Sequence, residues 1–167
     1  VIAHDGLVLI SHPDSALKDI DSDTLRDLYQ GYVLDWADLD MGQGEPKVLI
    51  QMDDSRVSLW QQAMLEGESS SSGCIVMPDD RAVVDYVRGN IGAVGYCSAS
   101  VARAIGGVRI VTIDGVTYDA DEADAWPMLL DVVLVAPDDI AGSGRDLADW
   151  LLSEQATLII EGCFLTP

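Results

Sequence analysis

At 167 residues the chain is long enough for one domain, or for two small lobes that share strands. Hydrophobic residues make up 49% and mean hydropathy is +0.19, so a sizeable core can be buried and a disordered chain is excluded. Nine Lys and Arg stand against 29 Asp and Glu, a formal charge of -20 that repels DNA, RNA and anionic membranes and excludes nucleic acid as a partner. The same charge reads as a solvated surface, or alternatively as a cation-binding one.

In chain order, Val1 to Ile10 predicts a strand built on GLVLI and closed by the turn-prone SHPDS. Ser22 or Asp23 can cap a helix carrying Leu25, Leu28 and Tyr29 on one face, with Gly31 past its end. KVLIQM after Pro46 is a second strand. The polar turn Asp53-Asp54-Ser55 then leads into a helix with Val57, Trp60, Ala63 and Met64 at helical spacing. Gly67 to Gly73, with its four consecutive serines, predicts a surface loop.

Cys74 to Met77 predicts a short strand, and Pro78 and Asp79 open a helix with Ala82, Val83, Tyr86 and Val87 on one face, ending near Gly89. Gly92 to Tyr96 is a glycine-punctuated strand, where the backbone should run close to other elements. Val108 to Ile113 alternates as a strand, and Leu129 to Val135 is the most apolar strand of all. Gly144 to Leu152 and Glu154 to Ile160 predict two final helices, the second capped by Ser153. Strands alternating with helices give α/β layers.

Cys74, Cys97 and Cys163 show no ligand spacing, so neither zinc nor a disulfide framework is indicated, and Cys97 and Cys163 read as small core residues. No apolar run is long enough to span a membrane. Val1 in place of an initiator Met predicts a processed or shortened chain. Neighbouring His4 and Asp5 should point to opposite faces of their strand, His12 beside Pro13 is a turn residue, and no nucleophile motif accompanies the histidines, so an enzyme is not expected. Asp53-Asp54, Asp79-Asp80 and Asp138-Asp139 lack calcium-loop spacing and read as solvated turn carboxylates; no metal or cofactor is expected. Gly142-Ser143-Gly144-Arg145 reads as a helix cap, and Trp36, Trp60, Trp126 and Trp150 as core anchors.

Several segments, in order, resemble the periplasmic phosphate-binding proteins of ABC uptake systems. IAHDGLVLISHPDS is similar to that family's strand out of its first lobe, usually Ala-Tyr-Asp-Gly, an apolar strand and Asn- or His-Pro-Asp. DTLRDLYQGYVLDWADL resembles its leucine-rich helix, Gly, then Asn-Trp-x-Asp-Leu, and VVDYVRGNIGAVGYCS its helix followed by Pro-Gly-Ala-Ile-Gly-Tyr-Val-Ser. IDGVTY and WPMLLDVVLVAP resemble the return crossing. LADWLLSEQATLIIEGCFLTP resembles the closing Phe-x-x-Trp-Leu-Leu-Ser-x-x-Gly-Gln motif.

The resemblance implies an α/β, periplasmic-binding-protein-like (type II) fold: one complete lobe plus the crossing strands and C-terminal helices of the other. Residues 13–127 would form the second lobe; residues 1–12 and 128–167 would be crossing strands and the remainder of the first. The family begins with a further first-lobe segment carrying a Ser/Thr-rich phosphate loop, and this sequence starts after it. The implied function is extracytoplasmic capture of phosphate or a related oxyanion between lobes, in the periplasm or at the cell surface with or without a membrane anchor, and its delivery to an ABC transporter permease. The alternative is a sensor or protein-interaction domain of the same fold that binds no anion. Unpaired sheet edges would favour a homo-oligomer, or pairing with the first-lobe segment.

In the family the second lobe holds the anion with an Arg and Asp-Gly-Ser-Gly-Thr opening a helix. Here IQMDDSRVSLW stands in that place: Met52 falls at the Arg position and no glycine remains. Asp54 and Ser55 would occupy the cap, and Asp54, Ser55, Arg56 and Val57 are the candidate ligand-binding residues. Ser55, Arg56 and the N–H groups of Arg56 and Val57 can form a rebuilt anion site. The same residues also read as an ordinary capped helix with one surface ion pair.

Overall fold

The computed structural model describes residues 1–119, 126–162 and 164–165. Its organising element is β1 (Ala3–Ser11), buried along its whole length except at His4. A strand apolar on both faces must be covered on both faces, and the GLVLI run is placed accordingly. β2 (Asp19–Ile20) leads to α1 (Ser22–Gln30), a 3-10 turn over Trp36–Leu39 and β3 (Lys47–Gln51). From there α2 (Asp54–Met64) connects to β4 (Ile75–Met77), and α3 (Asp80–Arg88) connects to β5 (Ala93–Ser98). Then come α4 (Ala99–Ile105), β6 (Arg109–Ile110), β7 (Thr112–Ile113), β8 (Leu129–Val132), α5 (Ser143–Leu151) and α6 (Glu154–Ile160).

The main sheet has strand order β4-β3-β5-β1-β6, with β8 also paired to β1. β3, β4 and β5 run parallel, as helix crossovers require, whereas β1 is antiparallel to all its partners. β1 changes partners along its length: Ala3 to Gly6 pair with β8, and Leu7 to Ser11 pair with β5. β2 and β7 make a separate parallel pair.

The core draws these layers together through three aromatic rings, one from each of α1, α2 and β5. Trp60 stacks on Tyr96 with centroids 4.4 Å apart, and Tyr29 lies 5.1 Å from Trp60, tilted. All three are fully or almost fully buried. A second pair, Tyr118 against Trp126 at 5.7 Å, covers β1 where Trp126 Nε1 donates to the Leu7 carbonyl.

Several expectations are corrected. Asp21, not Ser22 or Asp23, caps α1, accepting from the Thr24 N–H. The strand expected over Val108 to Ile113 divides, because Arg109–Ile110 bonds to β1 while Thr112–Ile113 turns away to β2. The strand expected over Leu129 to Val135 ends at Val132, and Val133 to Val135 are exposed. Trp36, Trp60 and Trp126 are core anchors, but Trp150 is 44% exposed. The helix cap expected at Gly142-Ser143-Gly144-Arg145 is present, with Gly142 capping α5 without a side-chain hydrogen bond. Cys97 is buried as expected, whereas Cys163 lies outside the described residues. Among the described residues, no helix is long and apolar enough to cross a membrane.

The close approach expected near Gly95 is present. A Cβ there would sit 2.9 Å from both Leu49 Cβ and Val83 Cγ1, between β3 and α3. Gly95→Ala is expected to lower unfolding stability by about 1–3 kcal/mol through overpacking, measured by urea denaturation.

Candidate functional site

The parallel strands β3, β4 and β5 end at Gln51, Met77 and Ser98, and each is followed by a helix. The N-termini of α2, α3 and α4 therefore collect at one edge of the sheet. Open α/β sheets present their binding crevices beyond the carboxyl ends of such strands. Helix N-termini carry partial positive charge and unpaired N–H groups, so this edge favours negative groups.

This chain supplies those negative groups itself. Asp53 caps α2: its Oδ1 accepts from the Ser55 N–H at 2.9 Å, the Ser55 hydroxyl at 2.5 Å and the Arg56 N–H at 3.3 Å. The Val57 N–H donates to the Asp53 carbonyl at 2.9 Å. Asp79 caps α3 by accepting from the Ala82 N–H. Asp5, reaching from β1, accepts from the N–H and hydroxyl of Ser100 in the first turn of α4. The Ser55 and Arg56 donors hold the Asp53 carboxyl below the ordinary carboxylate range.

Arg56 ties the edge together. Its Nη1 donates to Asp80 Oδ2, and its Nε lies 3.7 Å from Asp53 Oδ2. Asp80 is 8% exposed, and its Oδ1 also accepts from Gln51 Nε2 at 2.7 Å and the Ser98 N–H at 3.2 Å. Gln51 Nε2 bonds in addition to the Tyr96 carbonyl, and the Gln51 N–H to the Tyr96 hydroxyl. Burial first of all pushes that hydroxyl up to about 12, so it stays protonated at neutral pH. The side chain of Arg56 remains 28% exposed. The result is a half-open guanidinium between two carboxylates, beside a hydroxyl and a helix N-terminus.

Of the four candidate residues, Ser55, Arg56 and Val57 meet here, while Asp54 is exposed in the first turn and Asp53 takes the capping role expected of Asp54 and Ser55. Met52 points largely into solvent. Asp80, expected as a solvated turn carboxylate, is a buried acceptor. Its signal lay in the helical period, since Asp80 shares one face of α3 with Val83, Val84 and Val87. Gln51 and Ser98 gave no such signal, because their partners come from distant parts of the chain.

The histidines form no catalytic pair with Asp5. His4 Nδ1 lies 2.9 Å from Asp131, and His12 Nδ1 accepts from the Asp14 N–H. Among the described residues, no group of three or more His, Cys, Asp or Glu is placed to hold a metal ion.

A family model described as a PBP superfamily domain matches residues 1–155. No curated protein matches the chain. Among solved structures, the chain is similar to a phosphate-bound substrate-binding protein from Clostridium perfringens, ascribed to a phosphate ABC transporter. That match has 23% identity and a TM-score of 0.85, and covers 99% of this chain and 70% of that one. An ABC-type phosphate transport receptor from Vibrio cholerae matches at 17% identity and a TM-score of 0.72, over 99% of this chain and 71% of the receptor. PstS from Borrelia burgdorferi matches at 16% identity and 0.71, over 98% and 70%.

Two predictions follow from the hydrogen bonds at this edge. Asp80→Ala leaves Arg56, Gln51 and the Ser98 N–H without their shared acceptor, and should cost about 2–3 kcal/mol of stability in urea unfolding. The stability that Asp53 contributes through its lowered pKa is fully present above the usual carboxylate range, near pH ~4. It is lost as pH falls through the folded value. The melting-temperature difference between wild type and Asp53→Asn, followed by circular dichroism, should be constant near neutral pH and close under more acid conditions.

Proposed function

We propose that this chain, which belongs to the PBP superfamily, is the ligand-binding part of an extracytoplasmic solute-binding protein that captures phosphate or a related oxyanion and passes it to an ABC transporter permease. The family and fold are those of substrate-binding proteins rather than enzymes, and capture between lobes needs no covalent step. Residues 13–127 would form the second lobe. Residues 1–12 and 128–167 would supply the crossing strands and part of the first.

The observation that carries this reading is Arg56. A guanidinium on a side chain that is 28% exposed stands near the Ser55 hydroxyl at the start of α2, beyond the carboxyl end of β3. Guanidinium, hydroxyl and helix N-terminus are the donor types that oxyanions select. The similarity to a phosphate-bound protein from Clostridium perfringens and to a phosphate transport receptor from Vibrio cholerae supports the same ligand class. An incoming oxyanion would displace the Asp53 carboxylate and take over its donors. A second reading, a domain of this fold that binds no anion, draws on the same contact, because Asp53 already satisfies the donors of α2.

Isothermal titration with phosphate, sulfate and molybdate separates the two. Saturable binding of at least one oxyanion is expected, weakened about 10–100-fold by Arg56→Ala, the loss of a charged hydrogen bond of about 1.5–3 kcal/mol. Absence of heat with all three, from wild type and from Asp53→Asn, would favour the anion-free domain. Binding unmoved by Arg56→Ala would place the site elsewhere.

A further inference from the structure

At the opposite end of β3 from the Arg56 edge, where the strand begins, the surface holds a cavity of about 200 Å³. One wall is the end of α1. Gly31, in the left-handed region at φ 81°, turns the chain there, and Leu28 and Val33 on either side of it both line the cavity. The facing wall is the serine loop, which is fastened to the same helix end. The Tyr29 carbonyl accepts from the Ser71 N–H at 2.8 Å and from the Cys74 thiol at 3.6 Å. A Cβ on Gly31 would lie 2.9 Å from Ser71 Oγ, so the walls close on each other with no room for a side chain. Leu34 lines the cavity yet is 73% exposed, an apolar surface that the described residues leave open.

The charge around this cavity has one sign. Glu45 lines it, and no Lys, Arg or His among the described residues does. Lys47, two residues on, donates instead to Asn90 Oδ1 at 3.1 Å. α1 points the negative end of its dipole at the cavity and carries no basic residue in its last turn. No aromatic ring among the described residues lines the cavity, so it lacks the cage that holds a quaternary ammonium, whereas Glu45 and Ser71 offer oxygen acceptors to N–H donors. We propose that this cavity binds a small primary alkylammonium ion, with its ammonium group at Glu45 and Ser71 and its carbon chain against Leu28, Val33 and Leu34. At about 30 Å³ per water the cavity holds roughly six or seven waters, which is room for a chain of about four or five carbons. The site is separate from Arg56 and does not depend on oxyanion binding.

The test is isothermal titration at fixed ionic strength with n-butylammonium, tetramethylammonium and butyrate. n-Butylammonium should bind saturably, and the other two at least tenfold more weakly. Glu45→Gln should weaken n-butylammonium at least tenfold and Leu34→Ala at least threefold. Both positions are exposed, so both variants should keep the wild-type melting temperature. Asp149→Asn, which removes one exposed charge from α5, should leave binding unchanged and so separates the cavity from general attraction to a chain of net charge -20. No saturable heat, equal binding of the two cations, binding unmoved by Glu45→Gln or by Leu34→Ala, or equal weakening by Asp149→Asn would each overturn the proposal.

Discussion

A backbone hydrogen-bonding group that water cannot reach must find its partner inside the protein, and β1 is where this requirement governs the architecture. The strand is nine residues long and almost wholly buried, so it needs partners along its full length. It obtains them from β5, β6 and β8, which lie far apart in sequence, and from Leu165, which exchanges hydrogen bonds with His4. Ordering β1 therefore orders the chain from both ends. Among the described strands, the parallel unit of β3, β4 and β5 pairs with it through β5. That attachment fixes the sheet edge at which α2, α3 and α4 begin.

At that edge, the physics of helix ends is satisfied from within. Three helix N-termini meet, and three carboxylates of the chain, Asp53, Asp79 and Asp5, bond to their first turns. Asp80 does something different: it is spent on Gln51, Ser98 and Arg56, and so joins β3, β5 and α2. Arg56 is then less an independent surface charge than the open member of a buried network. Anything that drew Arg56 outward would loosen the same contacts that pin the strand ends.

How much of this was legible in the sequence depended on the range of the interactions. Runs such as GLVLI and KVLIQM announced buried strands, and the stripe of Val83, Tyr86 and Val87 announced α3, because their patterns are local. Short elements escaped. α4 and β2 are fixed by contacts such as Ser100 with Asp5 and Asp19 with Thr112, separated by more than ninety residues, while the turn at Trp36 is held by the Asp35–Asp38 capping box and by the bond from Trp36 Nε1 to the distant Gly92 carbonyl. Trp150 misled for a related reason: its pattern shows an apolar helix face, but not whether the described chain supplies a cover. The site divided in the same way, with Ser55 and Arg56 readable at a helix start and Gln51 and Ser98 visible only once strands were neighbours.

The change of partners along β1 has a mechanical consequence. Gly6 is the last residue paired to β8 and Leu7 the first paired to β5, so the two halves of the strand belong to different neighbours. Any twist of one half of the sheet against the other is focused on that junction, as torque is focused on the narrowest section of a shaft. Tyr118 rests there, its ring so near Gly6 that a Cβ would lie 2.5 Å from Cε2. The ring acts as a bearing: it supports the joint laterally and is the first part that a rotation would have to move.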